Sequence, residues 1–195
     1  MPAQQNAQLS PEEYLDNERA SDTKHEYLNG DVFAMAGASR AHNQITSNLV
    51  VALGNKLAER PCSVYVSDMK VRTQTKETNK YSYPDVVVTC GDESFGDDKN
   101  DVLLNPLLII EVLSESTEAY DRGLKFFHYQ LIPSLSDYLL VTQDFCRVEH
   151  YQRREDQQWV YSEYHDSQDM VEIATLNCSL TMAEIYRRVG LGLTV

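Results

Sequence analysis

The chain has 195 residues, 30 of them acidic against 17 basic, and a formal net charge of −13. That length suits one domain with a full core, and the acidic balance argues against a broad basic surface for nucleic acid, though not against a local basic groove. No apolar stretch approaches a membrane span and the polar start 1–6 is no signal peptide.

Residues 1–9 are expected to be loosely ordered, and residues 10–195 to form a single domain. Ser10-Pro11-Glu12-Glu13 opens a helix, with Ser10 as N-cap, Pro11 at the first helical position and Glu13 closing a capping box; it should fade before Asp22. The stretch 27–35 reads as two short strands turned at Asn29-Gly30. A helix over about 40–59 follows, with Ile45, Leu49, Leu53 and Leu57 as its apolar stripe, Ser39 as cap and Pro61 as stop. Residues 63–73 alternate imperfectly and predict one strand with a bulge. The runs 82–89 and 107–113 predict buried strands, and the polar, acidic segment 91–105 between them a surface loop. A long helix is expected over about 118–131, with Tyr120, Leu124, Phe127 and Leu131 facing the core and Pro133 ending it. Residues 137–153 read as two strands turned near Gln143-Asp144, and 159–164 with 170–173 as a further hairpin. Thr181-Met182-Ala183-Glu184 is a second capping box, opening a short helix that ends at Gly190. This order predicts an α+β fold, a mixed sheet with helices packed on it.

The four cysteines are widely spaced, without a CxxC pair, and read as reduced thiols of a cytoplasmic protein rather than a zinc site or disulfide frame. The five histidines show no HExxH. Two segments carry the chemistry. Tyr83-Pro84-Asp85-Val86-Val87-Val88 and Ile109-Ile110-Glu111-Val112-Leu113 are each aliphatic runs interrupted by one carboxylate. Such runs suit strands buried on both faces, where a lone ionised carboxylate is costly unless something compensates it. Two of them point to a shared divalent cation, as in metal-dependent phosphodiesterases.

Glu26-Tyr27-(x2)-Gly30, Pro84-Asp85, Ile110-Glu111-Val112 and Asp121-(x3)-Lys125, in that order, resemble the Uma2 family of the PD-(D/E)XK nuclease superfamily, over roughly residues 10–190. The resemblance implies a restriction-endonuclease-like core, a central mixed β-sheet flanked by helices, and a magnesium- or manganese-dependent site at the sheet edge. Asp85 matches the PD aspartate and Glu111 the second acidic ligand. The superfamily's lysine two residues further on is absent, since Leu113 stands there; Lys125 on the next helix is the matching position. Glu26 matches an acidic residue on the early hairpin.

The implied mechanism is phosphodiester hydrolysis by a metal-activated water. Asp85, Glu111 and the Val112 backbone carbonyl would hold the cation, Lys125 would orient the water or stabilise the transition state, and Glu26 would complete a second metal position. DNA is the expected partner and a homodimer stays open. Plainer roles compete: Asp85, after a proline, suits a strand start whose carboxylate bonds to backbone amides, and Glu111 a structural role. Asp121 and Lys125, four apart, suit an ordinary surface ion pair, the role expected for Asp121. Glu26 beside His25 and Asp31 suits plain hairpin polarity. His42 is expected on the surface of its helix rather than in a cleft, and Asp68 and Lys70 on one polar strand face as peripheral candidates. Two other classes also stay open: an inactive nuclease-fold interaction protein, favoured by the acidic balance and by Leu113, and a hydrolase of a non-nucleic-acid substrate using Asp85 and Glu111 as an acid–base pair.

Overall fold

The computed structural model describes residues 8–191. Helix α1 (Pro11–Arg19) starts at the Ser10–Glu13 capping box and the Asn29-Gly30 turn joins β1 (His25–Leu28) to β2 (Asp31–Ala34), both as the sequence predicts. Residues 1–7 of the expected loose start lie outside the described residues; Leu9 itself donates its amide to the Gly30 carbonyl at 3.2 Å. Helix α2 (Arg40–Leu57) is capped by Ser39 and buries Ile45, Leu49, Leu53 and Leu57.

Between α2 and the buried strand expected over 107–113, which forms as predicted, the strands differ from the sequence reading. β3 (Cys62–Val66) and β4 (Lys70–Gln74) belong to different sheets, as do β5 (Asn79–Ser82) and β6 (Val86–Cys90). The alternating pattern runs on through both breaks and hides them. Ser67 takes a left-handed conformation (φ 48°) and Pro84 cannot donate to a ladder, so the chain crosses between sheets at both places. The breaks face each other, with the Ser67 amide donating to the Asp85 carbonyl at 3.2 Å. The expected surface loop 91–105 contains β7 (Val102–Leu103), fully buried beside β4. β8 (Leu108–Leu113) follows, buried along its whole length.

The expected helix over 118–131 is broken into α3 (Glu118–Tyr120), a π-turn (Asp121–Lys125) and α4 (Phe126–Tyr129). Its faces are the reverse of the apolar-stripe prediction: Leu124 and Phe127 are 49% and 57% exposed, while Asp121 and Lys125 are buried. β9 (Asp137–Thr142) and β10 (Val148–Arg153) pair as expected. β11 (Trp159–Tyr164) pairs with β10, and β12 (Met170–Ile173) pairs with β13 (Cys178–Thr181), so the predicted β11–β12 hairpin does not form. A 3₁₀ turn and left-handed Asn177 fold β12 onto β13 instead. Helix α5 (Met182–Ile185) keeps its capping box but stops short of Gly190.

Two sheets result, ordered β2-β1-β5-β4-β7 and β11-β10-β9-β8-β6-β3, with β12-β13 apart. Alternate residues of β6, β8 and β9 face opposite ways. Val86, Val88, Leu108, Ile110, Val112, Leu139 and Val141 pack under α2 and α5. Val87, Ile109, Leu113, Tyr138 and Leu140 pack on the other face with Tyr129, Val71 and Leu103, which joins the two sheets. Tyr14, Tyr27 and Tyr81 seat α1 on the smaller sheet. Among the described residues no helix is long and apolar enough to cross a membrane.

Cys62 and Cys90, partners in the β3–β6 ladder, form a disulfide, which corrects the expectation of reduced thiols; Cys146 and Cys178 are free. A 28-residue separation on adjacent strands looks wide in sequence and becomes contact only through strand pairing. Cysteine usage therefore no longer argues for a reducing compartment. The paired substitution Cys62→Ser with Cys90→Ser should lower the unfolding free energy by about 2–4 kcal/mol, read from urea denaturation under non-reducing conditions. An unchanged midpoint and slope would show that the bond does not form in solution.

Candidate active site

β8 lies between β6 and β9, so Glu111 near its carboxyl end is walled by strands on both sides and is only 3% exposed. An ionised carboxylate there is costly without a partner. The partner comes from the π-turn. Lys125 Nζ lies 2.8 Å from Glu111 Oε1, 3.4 Å from Glu26 Oε1 and 3.5 Å from Asp121 Oδ1. The Tyr129 hydroxyl donates to the same Glu111 oxygen at 3.0 Å. Asp121, Lys125 and Tyr129 thus form one inward row, and charge compensation overrides the apolar stripe that would otherwise have turned inward. The surface ion pair expected of Asp121 and Lys125 is corrected: the two do meet, but inside the protein.

Glu26 is buried on β1. The Tyr120 hydroxyl donates to its Oε2 at 2.9 Å, Lys80 Nζ stands 3.8 Å from that oxygen, and Lys80 also bonds the Tyr120 hydroxyl. Asp85 sits at the crossing between the two sheets, just before β6. Its Oδ2 accepts the Val112 amide at 2.7 Å, and His42 Nε2 lies 3.1 Å away. His42 therefore turns inward from the first turn of α2, not onto the surface as expected. Val112 meets Asp85 through its amide. Asp68 and Lys70 share no polar strand face: exposed Asp68 pairs with Lys24 in the β3–β4 crossing, and buried Lys70 lies 3.0 Å from Asp101. Neither contacts this cluster.

Lys80, Tyr120 and Tyr129 are members that sequence reasoning did not assign. Tyr129 was legible as the third residue of an i, i+4, i+8 row with Asp121 and Lys125. Lys80 and Tyr120 gave no signal, because Lys80 meets Glu26 only once β1 and β5 are paired and Tyr120 reaches it from α3.

Four carboxylates (Glu26, Asp85, Glu111, Asp121) here meet two ammonium groups (Lys80, Lys125). Burial pushes the Glu111 carboxyl well above the usual range, more than Lys125 offsets, and Asp121 and Asp85 add to the rise. Burial also raises Asp121. Burial acts the same way on Glu26, but Lys125, Lys80 and Tyr120 outweigh it and hold that carboxyl low. Burial disfavours the Lys125 charge, yet Glu111, Glu26 and Asp121 together keep the ammonium firmly protonated. Burial lowers Lys80 to about 8.

The surplus negative charge and the all-oxygen donor set fit a hard divalent cation. The contacts to Asp85 fall on Oδ2 and those to Glu111 on Oε1, which leaves one oxygen of each for another ligand. Among the described residues no three His, Cys, Asp or Glu side chains are grouped to hold a metal unaided. Magnesium, which keeps several waters and takes one or two carboxylates, does not require a third.

In chelator, the folded state should bind the Glu111 proton more tightly than the unfolded chain, whose glutamates titrate near about 4.3. Stability then rises as pH falls from neutrality toward that value, and Asp121 acts in the same sense. Glu26, held low, opposes this only below the ordinary glutamate range. Glu111→Gln should melt at or above wild type at pH 8, with wild type gaining on it down to pH 5. A variant that melts far below wild type at pH 8 would make Glu111 a structural hydrogen-bonding group.

The comparisons agree with this architecture. The sequence model described as "Uma2: Putative restriction endonuclease" matches residues 11–183. Two uncharacterized proteins of Synechocystis sp. (strain PCC 6803) are similar. One is 41% identical over 155 residues, covering 80% of this chain and 86% of its own; the other is 40% identical over 180 residues, covering 92% of each. A crystal structure described as "a putative nuclease belonging to DUF820", from Anabaena variabilis, superposes with a TM-score of 0.73 at 16% identity, over 91% of this chain and 97% of its own. The fold is the restriction-endonuclease-like α+β core, and the chain belongs to the Uma2 family.

Proposed function

We propose that this protein is a magnesium- or manganese-dependent endonuclease that hydrolyses phosphodiester bonds of DNA. The observation that carries the reading is the 2.8 Å contact between Lys125 and Glu111: an ammonium stands beside the second acidic residue although Leu113 occupies the superfamily's lysine position. That contact favours the endonuclease reading over an inactive interaction protein, for which Leu113 and the acidic balance argue.

Asp85, Glu111 and the Val112 carbonyl would hold the cation. When bound, the cation lowers the pKa of a water and offsets charge on the phosphate. Asp85 is kept in place by the Val112 amide and His42. Lys125 presents a positive charge to the attacking water and the developing phosphorane oxygens. Glu26 and Asp121 hold the Lys125 ammonium at the floor of the site, and Tyr129 orients the Glu111 carboxylate. DNA as substrate puts the working site in the cytoplasm, where the Cys62–Cys90 bond would face a reducing pool.

Magnesium or manganese should raise the melting temperature, since a ligand bound only by the folded state stabilises it. Asp85→Asn should remove that shift and the cleavage of plasmid and single-stranded DNA. Lys125→Gln should keep the shift, melt lower because buried carboxylates lose their counter-charge, and cleave about 100-fold more slowly or worse. Wild-type protein that neither responds to the metals nor cuts any DNA would refute the reading.

A further inference from the structure

A cavity of about 170 Å³ opens at the carboxyl ends of β8 and β9. These two strands run parallel, and crevices outside the carboxyl ends of neighbouring parallel strands are preferred ligand sites. One wall is the connection from β8 to α3 and the other is the turn from β9 to β10. Leu113, at the cavity floor, lies two residues past Glu111 on the same face of β8. At strand rise, that puts the floor roughly 7 Å from Glu111, within a nucleotide's length.

The lining is chemically mixed. Phe145 is 44% exposed at its rim. Gln143 accepts the Ser39 hydroxyl on its carbonyl, which leaves its amide N–H groups to donate outward. Glu115, Glu118 and Asp144 contribute carboxylates; of these Glu118 is held by Arg122 at 2.6 Å. Glu115 and Asp144, the two carboxylates Arg122 does not hold, repel a phosphate, and a purely apolar ligand would leave them and the Gln143 amide without a partner in the cavity. A flat, uncharged ring with its own N–H donors satisfies all of these groups. Carboxylates accept from exocyclic amino groups, glutamine reads a base edge, and a phenyl face stacks on any base.

We infer that this cavity receives an unpaired nucleobase bearing an exocyclic amino group, adenine, cytosine or guanine, from the nucleotide beside the scissile phosphate. The inference rests on the nuclease reading for its substrate class and adds the base. It requires the target nucleotide to be single-stranded or extruded, because a paired base cannot enter a crevice of this size. Gln143 and Phe145 are the residues that would set the preference; neither touches Asp85, Glu111 or Lys125.

The test is equilibrium binding of fluorescent six-nucleotide homopolymers of deoxyadenosine, deoxycytidine and thymidine to the full-length protein in calcium, a hard cation with oxygen ligands. Wild type should bind the adenine and cytosine oligomers about tenfold or more tightly than the thymine oligomer. Gln143→Leu and Phe145→Ala should each flatten that ratio, while the magnesium-induced melting shift and hydrolysis of a base-free phosphodiester, bis-(p-nitrophenyl) phosphate, stay at wild-type levels. Equal binding of all three oligomers by wild type, or an unchanged ratio in both variants, overturns the inference. A base preference without any metal shift or hydrolysis would instead sink the nuclease reading and leave the base subsite standing.

Discussion

A glutamate carried into the middle of a buried β-strand sets the terms for this end of the molecule. Glu111 can be charged there only if a cation reaches it, and Lys125 is the side chain that does so. Lys125 is then itself buried and in need of carboxylates, which Glu26 and Asp121 supply. Glu26 in turn leans on Lys80 and Tyr120 from elements distant in sequence. The chain of compensation therefore runs from β8 through the π-turn to β1 and β5, and ties the larger sheet to the smaller one. Removing the Lys125 ammonium leaves buried carboxylates without their counter-charge, whereas neutralising Glu111 still leaves Lys125 paired with Glu26 and Asp121.

The same cluster explains where the sequence was readable and where it was not. Local chemistry was legible. Both capping boxes, the Asn29-Gly30 turn, the α2 stripe and the β9–β10 pair are set by residues within a few positions of one another. The two carboxylates in aliphatic strands were legible too, because a charge in an apolar run violates its surroundings and so announces itself. What escaped was decided at long range. The 118–131 segment has a fair apolar stripe at Tyr120, Leu124, Phe127 and Leu131, and nothing local opposes it. The opposite face was chosen by Glu111, a residue on another element. The disulfide was hidden in the same way, since Cys62 and Cys90 meet only once β3 and β6 are paired.

The split between β3 and β4, and again between β5 and β6, has a similar origin. Alternating polar and apolar residues are compatible with continuous strands, and at the breaks only Ser67-Asp68 and Pro84-Asp85 interrupt them with poor strand formers. A left-handed serine and a proline let the ribbon change sheets. Asp85 owes its position to that change. A residue in mid-strand would have its carboxylate directed into one core or the other, whereas at the crossing it reaches the end of β8 and the first turn of α2 together.

The π-turn has a further consequence. Opening one helical turn to hold an extra residue sets everything after it back by about 100° relative to a regular helix. Asp121, Lys125 and Tyr129, spaced four apart in sequence, share the inward face across that turn. The segment is thus constrained in length more than in composition. Leu124 and Phe127, exposed to solvent, could vary freely among related chains. Loss of one residue between Asp121 and Lys125 would turn the ammonium away from Asp121 and Glu111 without changing the identity of either. In this stretch, an alignment gap bears on activity as directly as a substitution of Lys125 itself.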